Sequence, residues 1–101
     1  MFKYECTNIL PFSSSISVLQ FSRDGTLLAI GTDEGSITLL ETASFECLLR
    51  LQDDSSITSI EWHGSSPSSL LIGYMDGRIE CLQVCSYFLS DNAFELSPLK
   101  T

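Results

Sequence analysis

A chain of 101 residues is long enough for one domain, and 44% hydrophobic with 18% charged residues is the composition of a folded globular protein rather than a disordered one. Thirteen acidic against five basic side chains give a formal net charge of −8, which opposes the phosphate contacts on which DNA and RNA binding depend. Direct binding of nucleic acid is therefore not expected.

The chain also lacks the sequence features of a membrane or secreted protein. No stretch approaches the roughly 20 consecutive apolar residues that span a bilayer, and the N-terminal MFKYECTNIL has no apolar signal-peptide core. We therefore expect no membrane insertion and an intracellular location, in the cytoplasm or the nucleus.

Residues 1–15 are predicted to form an outer strand over residues 2–10, followed by a crossing loop. The reason is an internal repeat, because Tyr4-Glu5-Cys6 recurs 41 residues later as Phe45-Glu46-Cys47. The later of these segments starts a run of apolar residues that is typical of a strand.

Residues 16–51 contain a succession of short apolar runs and turns. ISVLQF is rich in β-branched and aromatic residues, and the turn signal RDG follows it. LLAIGT is predicted as a second strand, and Glu34-Gly35 as a two-residue hairpin turn in which glycine takes a positive φ. SITLL and the run from Phe45 to Leu51 complete a predicted four-stranded antiparallel unit.

Residues 57–89 repeat this unit. ITSIEWH (57–63) matches ISVLQFS at an offset of 41 residues, and LLIGYMDGRIECLQ (70–83) matches LAIGTDEGSITLLE at an offset of 42. The additional residue falls in the Ser-rich turn at 64–68. The similarity fades after Gln83, so the outer strand of the second unit is uncertain from sequence, and residues 90–101 are interpreted as a C-terminal tail.

The order of these motifs resembles the WD-repeat (β-transducin-like) propeller family over residues 5–84. The sequence departs from the family pattern, since Leu40-Glu41 and Leu82-Gln83 stand at the Trp-Asp position. Only Asp76, and less well Glu34, matches the acid of the family's buried polar network. The resemblance implies a divergent, all-β, incomplete propeller of two four-stranded antiparallel blades, held by apolar packing.

Two narrower resemblances stay open. LLAIGTDEGSI and ITSIEWH are also similar to the platform subunit of the anaphase-promoting complex and to syntaxin-binding propellers of the tomosyn type. In closed propellers of the family an N-terminal outer strand completes the last blade, so residues 1–15 could close a blade that this chain lacks. Since a propeller has about four to eight blades, two blades indicate a fragment or a subunit of a larger ring.

The four cysteines do not indicate a metal site. Cys6 and Cys47 occupy equivalent repeat positions and are interpreted as free, mostly buried thiols. Cys81 and Cys85 have no second close pair, and the chain has one histidine, so a structural zinc site lacks its ligands. No metal and no cofactor is expected.

Acidic residues collect in loops that the repeat places at one end of the blades. They are Asp33, Glu34, Asp53, Asp54 and Asp76, with Arg78 as the base close by. Such one-sided charge favours a basic peptide or the basic face of a protein as partner, although turns favour Asp in any case. These five residues are the candidate binding residues.

The sequence predicts a non-catalytic scaffold for protein–protein interaction. One alternative is a purely structural partial propeller that completes its ring by self-association or with a longer propeller chain. A second is a hydrolase-type enzyme that uses His63, approached by Ser65, Ser66 or Asp24, but no spacing requires these groups to converge.

Overall fold

The computed structural model describes residues 2–64, 69–86 and 94–98, and the regular elements in these ranges are eight β-strands. The strands are β1 (Ile16–Phe21), β2 (Leu27–Thr32), β3 (Ser36–Glu41), β4 (Cys47–Gln52), β5 (Ile57–His63), β6 (Ser69–Tyr74), β7 (Ile79–Ser86) and β8 (Phe94–Pro98). They form two antiparallel sheets in the orders β1-β2-β3-β4 and β5-β6-β7-β8. The predicted all-β fold with two four-stranded blades is confirmed, and we call these sheets blade one and blade two.

The outer strand predicted for residues 2–10 is not formed. This segment is exposed and has no ladder pairing with a described strand. An outer strand needs a third strand with a free edge, but β3 already pairs with β4, and β7 already pairs with β8. Packing begins at Phe12, whose half-buried ring lies 5.8 Å from the guanidinium carbon of Arg50.

The fourth strand of blade two lies later in the chain than the sequence analysis places it. β8 (Phe94–Pro98) falls within the range predicted as a tail, and it pairs with β7 so that Leu96 stands opposite Val84. The repeat had faded before this point, so no template fixed the outer strand. Tyr87, which stands 42 residues after Phe45 of the first copy, lies outside the described residues.

The turn between β2 and β3 has three residues, Asp33 to Gly35, one more than predicted. The amide of Gly35 donates to the carbonyl of Thr32 at 3.2 Å, and Gly35 has a φ of 91°. The same turn follows β6, where Gly77 donates to Tyr74 at 3.0 Å and has a φ of 94°. Glycine suits both positions because other residues are strained at such a φ.

One apolar core joins the two blades. The face of blade one that bears Ala29, Ile37 and Leu39 packs against the face of blade two that bears Ile60 and Leu70. Trp62 is 6% exposed, and its indole Nε1 donates to the carbonyl of Gln20 in blade one at 3.1 Å. The packing between blades is therefore apolar, with a few specific hydrogen bonds.

Leucine replaces the Trp-Asp tryptophan in both blades. Leu40 and Leu82 are both buried, and burial of a leucine side chain contributes about 1.5–3 kcal/mol. Every buried side-chain nitrogen or oxygen among the described residues has a hydrogen-bond partner. Apolar packing thus fills the Trp-Asp position in both blades, as the sequence predicted. No described segment is a helix of the length and apolarity that crossing a membrane demands.

Candidate functional site

Three loops meet at one end of the two blades, and we call this surface the acidic end: residues 33–35, 53–56 and 75–78. The amide of Asp53 donates to the carbonyl of Gly35 at 2.9 Å, and the hydroxyl of Ser56 donates to the carbonyl of Asp33. A Cβ on Gly35 would meet the carbonyl oxygen of Ser55 at 2.6 Å. The first two loops are therefore in direct backbone contact.

The third loop is held against the second in the same way. The amide of Met75 donates to the carbonyl of Ser56 at 2.9 Å, and the amide of Asp76 donates to the hydroxyl of Ser55 at 3.2 Å. Backbone groups thus fix all three loops with respect to one another, and the structure brings the five predicted acids to the same end of the molecule.

Arg78 forms ion pairs with two of the five predicted acids. Its Nη2 lies 2.6 Å from Asp53 Oδ1, and its Nε lies 2.7 Å from Asp76 Oδ2. Its guanidinium also lies 4.5 Å above the ring of Tyr74. Hydrogen bonds from Arg78 hold the pKa of both carboxyls below the ordinary value, and the two carboxylates in turn raise the pKa of Arg78.

The other three predicted acids keep their charge available to a partner. Asp33, Glu34 and Asp54 are exposed, and within the described ranges their carboxylates accept no hydrogen bond. The carbonyl of Glu34 is instead held by Gln52, whose Nε2 donates to it at 2.8 Å. The backbone of this loop is fixed while its carboxylates point into solvent.

A cleft of about 160 Å³ opens between the blades at this end. Asp53, which the sequence predicted, lines it, whereas sequence reasoning missed Tyr74 and Glu80. The buried phenol of Tyr74 donates to Glu80 Oε1 at 2.8 Å, while apolar side chains such as Ile37 and Leu51 line the walls. Burial, and then the bond to Glu80, raise the pKa of Tyr74. The sequence feature that could have drawn attention to the cleft is a difference between the two copies, because Tyr74 stands where the first copy has Thr32.

The residues considered for catalysis are not assembled in the described ranges. Asp24 belongs to a turn, where its carboxylate accepts from Thr26 and from the Ser22 hydroxyl at 2.9 Å, and these bonds lower its pKa. His63 is exposed at the end of β5, opposite Ser69. Ser65 and Ser66 lie outside the described residues.

The expected burial of the cysteines is wrong at two positions. Cys6 and Cys47 are free but exposed, and Cys81 is half-buried. Cys6 is exposed because its segment forms no strand, and Cys47 because it begins β4 at the sheet edge, on the face turned away from blade two. No cluster of three or more metal-ligating side chains occurs in the part of the chain that the structure describes.

Comparison with known families supports the propeller interpretation. Residues 11–65, more than half of the chain, match the family model described as the anaphase-promoting complex subunit 4 WD40 domain. The chain belongs to this WD40 family. The matched segment includes blade one complete and the inner strand of blade two, so the β1 to β4 unit is a WD40 blade.

A solved structure supports the fold over most of the chain. The β-propeller domain of Myceliophteria thermophila Cps50 (Swd1) superimposes with a TM-score of 0.68 at 19% sequence identity. The match covers 82% of this chain but 25% of that one, so the chain spans about a quarter of the length of the solved propeller. No curated protein matches the sequence.

Proposed function

We propose that the chain is a non-catalytic protein-interaction scaffold that binds a protein or peptide with a basic face at the acidic end. The observation that carries this proposal is the joining of loops 33–35, 53–56 and 75–78 into one surface by hydrogen bonds of their backbone and of the Ser55 and Ser56 hydroxyls. WD40 propellers typically bind proteins, and the matching family is named for a subunit of a multi-protein complex, which supports a role in holding proteins together.

The charge of this surface suits a cationic partner. Five carboxylates and the guanidinium of Arg78 give the acidic end a formal charge of −4. Exposed charges of one sign attract an oppositely charged partner over a Debye length, and they set the rate and specificity of association more than its affinity. Because Asp53 and Asp76 are paired with Arg78, the attraction for a cationic partner rests on Asp33, Glu34 and Asp54.

The cleft beside these loops offers a place for one basic side chain. Apolar side chains such as Ile37 and Leu51 form part of its walls, and the carboxylate of Glu80 lies within it, bonded to Tyr74. Lysine and arginine combine a long aliphatic stem with a cationic head, so their stems can pack on such walls while the head approaches a carboxylate. A cleft of about 160 Å³ has room for one side chain rather than a folded segment.

The test compares two double variants that each remove two exposed negative charges. Glu34→Gln/Asp54→Asn alters the acidic end, and Glu5→Gln/Glu46→Gln removes the same charge elsewhere. Binding of a fluorescent deca-lysine peptide is measured by anisotropy at two salt concentrations. We expect the first variant to weaken binding several-fold and to lower its salt dependence, and the control to leave both nearly unchanged.

Equal losses in the two variants would mean that the peptide responds to net charge and not to the acidic end. Unchanged, salt-independent binding in both would remove the acidic end as a binding surface. The purely structural alternative would then be favoured.

A further inference from the structure

The outward face of β1 repeats the face by which β5 packs against blade one. Its three apolar side chains stand 41 residues before their counterparts: Ile16, Leu19 and Phe21 correspond to Ile57, Ile60 and Trp62. Blade one covers the β5 residues, which are between 1% and 6% exposed, whereas the β1 residues are between 45% and 60% exposed. We call Ile16, Leu19 and Phe21 the β1 face, and its exposed side chains are those that a neighbouring blade buries in the second copy.

β5 packs against blade one through a small set of contacts. Ile57 lies over Gly31, where a Cβ would be 2.6 Å from Ile57 Cγ2, so only glycine leaves room for it. The hydroxyl of Ser17 lies 2.6 Å from the carbonyl of Ile57 and 3.2 Å from that of Gly31. Ile37, which pairs with Gly31 across the strands, is buried in the same contact.

Blade two carries the same arrangement on the face that points away from blade one. Gly73 is the counterpart of Gly31, and the hydroxyl of Thr58 lies 3.1 Å from the carbonyl of Gly73, as Ser17 does from that of Gly31. A shallow cavity of about 210 Å³ lies beside Gly73, lined by Ser59, Leu71 and Ile79 among others. Ile79, the counterpart of Ile37, is 77% exposed. We call this surface the outer face of blade two.

We propose that the chain associates head to tail with a second copy of itself, with the β1 face of one copy packed on the outer face of blade two of the next. In this arrangement Ile16 lies over Gly73, as Ile57 lies over Gly31 within the chain. A second copy is the occupant because one chain carries both halves of the same interface, and the interface between its own blades supplies the pattern. This surface is separate from the acidic end and independent of its function.

Such a contact joins two different surfaces, so it can continue from copy to copy until a ring closes. Propellers contain about four to eight blades, so two blades per copy allow rings of two, three or four copies. Multiples of the 11.2 kDa chain give about 22, 34 and 45 kDa for these rings. Burial of the exposed apolar side chains drives the association.

The test uses light scattering over a range of concentrations on the wild-type chain and three variants. Leu19→Glu charges the β1 face, Ile79→Glu charges the outer face of blade two, and Ala43→Glu is the control, at an exposed position in the turn between β3 and β4 and outside both faces. We expect the wild type and the control to reach one of the ring masses. Each face variant should raise the dissociation constant about tenfold or more, since a charge is then buried in the contact.

Mixing the two face variants decides between head-to-tail and symmetric contact. Leu19→Glu keeps an intact outer face of blade two, and Ile79→Glu keeps an intact β1 face, so together they should form one heterodimer of about 22 kDa that grows no further. Circular dichroism checks that each variant is folded, and Phe21→Glu replaces Leu19→Glu if that variant is not. A wild-type chain that stays at 11.2 kDa, an Ile79→Glu variant that self-associates as tightly as the wild type, or a mixture without heterodimer would each overturn the proposal.

Discussion

Trp62 Nε1 donates a hydrogen bond to the backbone carbonyl of Gln20 at 3.1 Å, and this bond joins the inner strand of blade two to the inner strand of blade one. The indole is 6% exposed, so the same side chain fills the core and satisfies a carbonyl that faces it. Phe21, its counterpart in the first copy, is 60% exposed and lacks an N–H group.

Replacing Trp62 should therefore cost far more than replacing Phe21. We expect Trp62→Ala to lower the free energy of unfolding by about 3–5 kcal/mol through loss of a buried aromatic. Trp62→Phe should lower it by about 1 kcal/mol from the lost hydrogen bond, in addition to the cost of its smaller volume. Phe21→Ala should change the free energy of unfolding by no more than about 1 kcal/mol. Urea unfolding at a concentration where the chain is monomeric measures all three, and equal losses for Trp62→Ala and Phe21→Ala would contradict this account of the core.

The two equivalent strand glycines should respond differently to alanine. A Cβ on Gly31 would lie 2.6 Å from Ile57 Cγ2 and 2.9 Å from Val18 Cγ1, both in the packed interface between the blades. We expect Gly31→Ala to lower the free energy of unfolding by about 1–3 kcal/mol by overpacking. Gly73→Ala meets the Ser59 hydroxyl, which is exposed and can rotate away, so its cost should be smaller. Urea unfolding compares the two variants. A larger loss of unfolding free energy for Gly73→Ala than for Gly31→Ala would show that the interface between the blades can rearrange around a Cβ at Gly31.

Several of these features could be predicted from the sequence because the repeat carries them. The match of ISVLQFS to ITSIEWH predicted β1 and β5, and the acid-Gly turns predicted where β2 and β6 end. The turn positions in turn placed all five acids at one end. Two matching copies support the strand assignment better than one, because a strand pattern that occurs by chance rarely recurs at the same spacing.

Structural features that the two copies of the repeat do not share could not be predicted from the sequence. Arg78 stands where the first copy has Ser36, and its partner Asp53 is 25 residues away in another loop, so no local pattern indicates the pair. The strand expected at residues 2–10 follows from sequence similarity alone, whereas a strand requires an unpaired neighbour. Exposure of Cys47 likewise depends on which face of β4 is covered, and the sequence of β4 does not state this.

Removing Arg78 should alter the acid sensitivity of the fold. Asp53 and Asp76 have folded-state pKa values below the ordinary 3.8, so their contribution to stability is present above that pH and is lost as the pH falls through the folded values. We expect Arg78→Gln to lower the urea midpoint at pH 7 relative to wild type, and the difference to shrink as the pH falls below 3.8. Arg23→Gln, an exposed base at the opposite end, is the control and should show no such convergence.

The contribution of Tyr74 to stability should be lost at alkaline pH, in the opposite direction to that of Asp53 and Asp76. Its pKa is raised above the ordinary 10.0, so its contribution is complete below pH 10 and is lost as the pH rises through the folded value. We expect Tyr74→Phe to be less stable than wild type by about 1 kcal/mol at pH 7, from the lost bond to Glu80, and the difference to narrow above pH 10. Tyr4→Phe, at a side chain that is 97% exposed, serves as the control. A wild-type minus Tyr74→Phe difference that stays constant with pH would contradict the stated environment of Tyr74.

Mapping of a basic peptide on the isotope-labelled chain tests the proposed binding surface most directly. Backbone amide shifts are followed by NMR during titration with deca-lysine, on a variant made monomeric by Leu19→Glu. We expect the largest saturable changes in the loops 33–35, 53–56 and 75–78, with little change in the turn at 22–26 on the opposite end. Changes of equal size at both ends, or changes centred on the strands, would contradict the assignment of the acidic end as the surface that binds a basic partner.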